Sequence, residues 1–169
     1  ALLIVLFARL VDVAIALFNT LRNNHPWSPF LLTTAGGALT AWMTRRYFPG
    51  AEGSGIPQVI AALKHSSDES RLRLTSLRIV IGKTLLGTAA LGCGFSSGRE
   101  GPSVQVGAGV MHAMRKLLPR RFPVQPHHLI LAGGAAGIAA AFNTPLAGIV
   151  FAIEELGRKF EERTNGVLL

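Results

Sequence analysis

From Phe122 to Ile153 the chain carries no Asp, Glu, Lys or Arg, yet it cannot run through that stretch as one helix. Asn143-Thr144-Pro145 interrupts it. A proline forces the residue before it out of the helical region and has no N–H to donate. The pieces on either side, about 16 residues (His128 to Asn143) and about 12 (Pro145 to Leu156), rise only ~24 and ~18 Å. Neither covers the ~30 Å hydrocarbon core of a bilayer straight through. Broken, uncharged helices are tolerated at membrane depth only where their freed backbone groups are buried in protein or line a wet cavity.

Only 15% of the residues are charged, and the mean hydropathy is +0.39. Soluble domains carry about a quarter charged residues. The net charge of +8 does not indicate a nucleic-acid surface. The basic residues lie in short clusters between apolar runs: Arg45-Arg46, Lys64 to Arg78, Arg115 to Arg121, and Arg158-Lys159 to Arg163. That is the pattern of positive-inside loops rather than of a basic stripe among aromatics. Cys93, the single cysteine, forms no intrachain disulfide. His112, His127 and His128 lack metal-ligand spacing with carboxylates or Cys, so neither metal nor cofactor is expected. The N-terminus is apolar from its first residue and the other end stops in the polar Glu161 to Gly166, so the chain is expected to be a fragment of a longer protein.

In order, Ala1 to Leu21 is long enough to cross the membrane, with Arg9 and Asp12 spaced to pair on one face. Phe30 to Met43 forms a second helix, with Trp27 and Trp42-Tyr47 as interface aromatics. After the glycine loop Pro49 to Gly55, Ser54 can cap a helix that holds Pro57 near its first turn and ends at Leu63. That helix is too short to span and is followed by polar sequence, so it dips in and returns. Leu77 to Phe95 crosses outward and contains Lys83, read either as a snorkelling residue or as a buried positive charge. Gly82-Lys83-Thr84 is no phosphate loop, because the glycine needed five residues before Gly82 is Leu77.

Gly98-Arg99-Glu100-Gly101-Pro102-Ser103 follows this apolar crossing. Pro102 opens a helical run, Val104 to Leu118, and so places Glu100 at a helix N-terminus. Unpaired N–H groups and the positive end of the helix dipole make that position an anion site, for which the Glu100 carboxylate itself competes. The loop order puts Glu100 toward the outer side and Glu154-Glu155 near the cytoplasmic end, so the two acids approach the membrane from opposite sides.

Three stretches, Gly53-Ser54-Gly55-Ile56-Pro57, Gly98-Arg99-Glu100-Gly101-Pro102, and Gly137 to Gly148 followed by Glu154-Glu155, resemble in order and spacing the CLC family of chloride channels and H⁺/Cl⁻ exchangers. The resemblance implies an all-α, multi-pass fold with tilted, broken and re-entrant helices, in which residues 1–169 form a partial transmembrane domain, the first of two inverted repeats. It implies that Ser54 donates its hydroxyl to chloride, and that backbone amides around Gly53, Ser54, Arg99, Glu100 and Gly101 coordinate it. It makes Glu100 the gate and Glu155, beside Glu154, the internal proton acceptor. Lys83 and Gln58 are accessory; many relatives carry Glu where this chain has Gln58.

The function implied is chloride/proton antiport by a homodimer in a bacterial inner membrane, with chloride, protons and lipid as partners. A passive chloride channel is the alternative, with Glu154-Glu155 merely solvated, and a non-conducting fragment is a third reading. An enzyme is not expected.

Overall fold

The computed structural model describes residues 2–64, 67–117 and 124–157. All regular structure among them is helical: α1 (Leu2–Asn24), α2 (Ser28–Tyr47), α3 (Ile56–Lys64), α4 (Asp68–Thr75), α5 (Leu77–Gly92), α6 (Glu100–Met114), α7 (Pro126–Phe142) and α8 (Pro145–Phe151). A 3-10 turn, Arg115–Leu117, extends α6, and a π-helical turn, Ala152–Gly157, extends α8. The expected end at Leu118, the Arg120-Arg121 and Arg158-Lys159 clusters, Arg163 and the stretch Glu161 to Gly166 lie outside the described residues.

Two stretches, Leu2–Asn24 and Asp68–Gly92, are long and apolar enough to cross a membrane. The 23 residues of α1 rise ~34 Å. Helix α2 has no fully buried residue, though Gly36 and Gly37 pack against Cys93 and Phe95. Its aromatics sit in pairs near the two ends: Trp27 against Phe30 at 5.9 Å between ring centroids, and Trp42 edge-on to Tyr47 at 5.7 Å. That spacing suits two interfacial belts.

Helix α6 carries the core. It buries Val104, Gln105, Val106, Gly107 and Ala108, among others. Small residues let α7 lie directly on it: a Cβ at Gly107 would collide with the Gly133 carbonyl, and one at Gly137 with that of Ser103. Around this contact Val59, Ala62 and Leu63 of α3, Val104 and Ala108 of α6, Ile130 and Ile138 of α7, and Leu156 form one apolar cluster.

The break at Pro145 is made as the sequence demands. Asn143 ends α7 in the left-handed region (φ 53°), which Asn tolerates better than most side chains, and Pro145 restarts the helix in its first turn. Three expectations are corrected. Helix α4 falls in sequence read as loop; Ser67 caps it, accepting from the Ser70 N–H at 3.4 Å, with Asp68 and Glu69 in its first turn. Pro145 to Leu156 is not one α-helix, because the last residues widen into a π turn, with Leu156 buried against the space left by Gly134. Arg9 does not pair with Asp12: the Asp12 carboxylate takes the Arg99 guanidinium at 2.8 Å, and this long-range pair prevails over the local one. Of the two readings of Lys83, the buried charge holds, the side chain being only 4% exposed.

Candidate functional site

The two glycine motifs meet backbone to backbone. A Cβ on Gly55 would strike the Gly101 carbonyl, and one on Gly101 would strike the Ser54 carbonyl. Gly55 also has φ +113°, so two independent constraints fix glycine there. This contact brings the starts of α3 and α6 to one cavity of about 710 Å³, lined by Gly53, Ser54, Ile56, Lys83, Glu100 and Gly101 together with residues of α2 and α5. Each helix start leaves backbone N–H groups without an intrahelical partner and contributes the positive end of a dipole.

The loop that carries Ser54 is held by side chains from α3, α5 and α6. Lys83 Nζ donates to the carbonyls of Ala51 (2.9 Å), Glu52 (3.5 Å) and Gly53. Gln58 Nε2 donates to the Glu52 carbonyl, and Gln58 Oε1 accepts from the Gly55 N–H at 3.0 Å. The Gly50 N–H donates to the Glu52 carboxylate at 2.6 Å, while the Gly50 carbonyl accepts from Gln105 Nε2 at 2.9 Å. In a trans peptide the carbonyl and the next N–H point in opposite directions. Carbonyls of Glu52 and Gly53 drawn toward Lys83 therefore turn the Gly53 and Ser54 N–H groups away from it. The Ser54 hydroxyl makes no hydrogen bond to any described residue; Gln58, not Ser54, satisfies the Gly55 N–H at the start of α3. The lysine thus acts through the backbone, with its donors occupied by carbonyls.

Glu100 is the first residue of α6. Its carboxylate folds back over Gly98, where a Cβ would collide with Glu100 Oε2. Arg99 and Asp12 line a second cavity of about 490 Å³ together with Arg9 and Ser103. Among the described residues, Glu100 is the one that lines both cavities.

The structure therefore unites Gly53, Ser54, Lys83, Glu100 and Gly101 at one cavity and sets Arg99 at the other. Gln58 stands behind the loop. Glu154 and Glu155 line neither cavity; they lie in the π turn, where Leu156 joins the cluster that contains Val59 and Val104. Sequence reasoning missed Gln105 and the Asp12–Arg99 pair. Gln105 is fully buried and also donates to the Leu74 carbonyl at 3.0 Å; a lone amide in the otherwise apolar run Val104 to Val110 was the available signal.

Fold and site together define an all-α membrane protein whose interrupted helices begin at a shared cavity. The chain belongs to the voltage-gated chloride channel family, whose sequence profile matches residues 36–169. It is 40% identical over 139 residues to the H⁺/Cl⁻ exchange transporter ClcA of Cronobacter sakazakii, a match covering 80% of this chain and 29% of that protein. It is 38% identical over 131 residues to ClcA of Klebsiella pneumoniae and, over the same length, to ClcA of Citrobacter koseri, each match covering 78% of this chain and 27% of the relative. The chain thus spans less than a third of the length of the curated relatives it matches.

Proposed function

We propose that the complete protein exchanges chloride for protons across a membrane, with the cavity at Ser54 and Glu100 as its anion site. The observation that carries this reading is that Glu100, an acid at a helix N-terminus, alone among the described residues lines both the Ser54 cavity and the second cavity. Chloride at the Ser54 hydroxyl would be held by partial charges from the Gly53, Ser54, Glu100 and Gly101 N–H groups, Arg99 lying at the other cavity. Such binding is firm enough to strip water and weak enough to release. An ionised Glu100 and chloride compete for the same donors, since both are monovalent anions. Protonation removes the competitor, so a proton and a chloride are moved against each other.

Glu155 serves in this reading as the internal proton acceptor, and Glu154 as its solvated neighbour. Residues 1–169 form the first of two inverted repeats, the rest of the protein supplying the second. Exposed apolar side chains at Leu146, Ile149 and Ile153, spaced along one face, suit contact with a second copy in a homodimer. The membrane is a bacterial inner membrane, as the named relatives are bacterial.

A passive chloride channel is the second reading. It is favoured by the separation of Glu155 from the Ser54 cavity, with the apolar cluster of Val59, Val104 and Leu156 next to it. Reconstitution of the complete reading frame in liposomes, under opposed chloride and pH gradients, separates the two. Exchange predicts a reversal potential that moves with both gradients, and predicts that Glu155→Gln cuts proton flux on the order of 10²-fold or more while chloride flux persists. A potential set by chloride alone in the unmodified protein contradicts exchange and selects the channel.

A further inference from the structure

We propose that Gln58 is a positioning residue for the anion site: its side-chain amide clamps residues 52–55 so that the Gly53 and Ser54 N–H groups are turned toward the cavity. The inference rests on the anion-site reading above. The clamp spans the turn with a single planar group, its Nε2 donating to the Glu52 carbonyl and its Oε1 accepting from the Gly55 N–H at 3.0 Å. Between these anchors the backbone is in the left-handed region at Gly53 (φ +67°) and again at Gly55 (φ +113°), a path with no regular hydrogen bonding of its own. The side chain also packs there, since a Cβ on Gly53 would come within 2.9 Å of Gln58 Nε2.

Lys83 cannot replace this clamp. An ammonium has only donors, so it can hold the Glu52 and Gly53 carbonyls but not the Gly55 N–H. An amide offers donor and acceptor together and does so at every pH. A carboxylate offers acceptors only, and one of its oxygens would face the Glu52 carbonyl. A protonated carboxyl group restores one donor and one acceptor in nearly the same plane. The charged groups around the position are the Lys83 ammonium, which shares the Glu52 carbonyl, and the Glu52 carboxylate, which accepts from the Gly50 N–H.

The test is chloride titration by calorimetry on the complete protein in detergent, from pH 4.5 to 7.5, in a Glu100→Gln background that removes the gate's own ionisation. The parent is expected to bind chloride with little pH dependence. Gln58→Leu, which removes both bonds, is expected to weaken binding about tenfold at every pH. Gln58→Glu is expected to bind close to the parent at pH 4.5 and about fivefold or more weakly at pH 7.5, once its donor is lost. Parent-like binding by both variants overturns the assignment. So does a Gln58→Glu profile that is flat, whether parent-like or uniformly weak, because a packing role alone has no titration. If Gln58→Leu fails to fold, Gln58→Met, which keeps the length, adds no charge and cannot bridge the Glu52 carbonyl and the Gly55 N–H, is expected to show the same loss of about tenfold and decides in its place. A parent that binds no chloride sinks the anion-site reading; a parent that binds, with both Gln58 variants unchanged, sinks only the assignment to Gln58.

Discussion

Glu100→Ala is expected to abolish proton movement in the complete protein while chloride flux continues. A positioned acid or base contributes on the order of 10²–10⁴ in proton transfer, so its loss should bring proton flux to background. Chloride should keep its path for a geometric reason. The donors at the start of α6 are backbone N–H groups, which the substitution leaves in place, and Ser54 and its loop are held by Lys83, Gln58 and Gln105, none of which bonds to Glu100. Removing the carboxylate removes a competitor for those donors, while the backbone that supplies them stays in the cavity lining. Paired chloride and proton flux measurements in liposomes read both halves of the outcome. Undiminished proton coupling in this variant would exclude Glu100 as the gate.

The second large effect is expected at Gly55. Ala there must adopt φ near +113°, which costs on the order of 1–3 kcal/mol in backbone strain, and its Cβ must displace the Gly101 carbonyl. That carbonyl belongs to backbone rather than to the mobile end of a side chain, so α3 and α6 have to separate. Chloride binding is expected to fall on the order of 10²-fold, equivalent to ~2.7 kcal/mol, with a loss of thermal stability. Gly87→Ala is the matched control. It lines the same cavity, but its Cβ would meet Phe7 at ordinary contact distances of 3.5 and 3.6 Å, so binding and melting temperature should stay near those of the parent. Calorimetric chloride titration and thermal unfolding of the two variants check this, and equal behaviour would mean that the Gly55–Gly101 approach does not assemble the site.

What sequence reading captured was chiefly local. Asn143 and Pro145 break the long uncharged run where they stand, because one tolerates the left-handed backbone and the other cannot donate. Pro102 marks a first helical turn, and the glycine pairs mark places where chains approach closely. Ser54 and Glu100, 46 positions apart in sequence, come to one cavity as the three matched motifs implied. What was hidden depended on partners distant in the chain. Asp12 had a plausible neighbour in Arg9, and nothing in the spacing favours Arg99 instead. Lys83 could be recognised as a charge in an apolar helix, but its three carbonyl partners lie some 30 positions away. Gln58 had no legible role until the Glu52 carbonyl and the Gly55 N–H were seen on its two ends. Helix α4 was readable in principle, since Ser67, Asp68 and Glu69 make a standard helix start; its polarity disguised it as a loop. The π turn that carries Glu154 and Glu155 left no sequence signal, because widening by one residue depends on where Leu156 finds room.

In the complete protein a halide is expected to rest where the starts of α3 and α6 converge on the Ser54 hydroxyl. Crystals of the complete protein grown in bromide test it by anomalous diffraction. An anomalous peak is expected within hydrogen-bonding distance of Ser54 Oγ and of a backbone nitrogen at Gly53, Ser54, Glu100 or Gly101. Bromide ordered elsewhere in the protein, with no peak in this cavity, would contradict it.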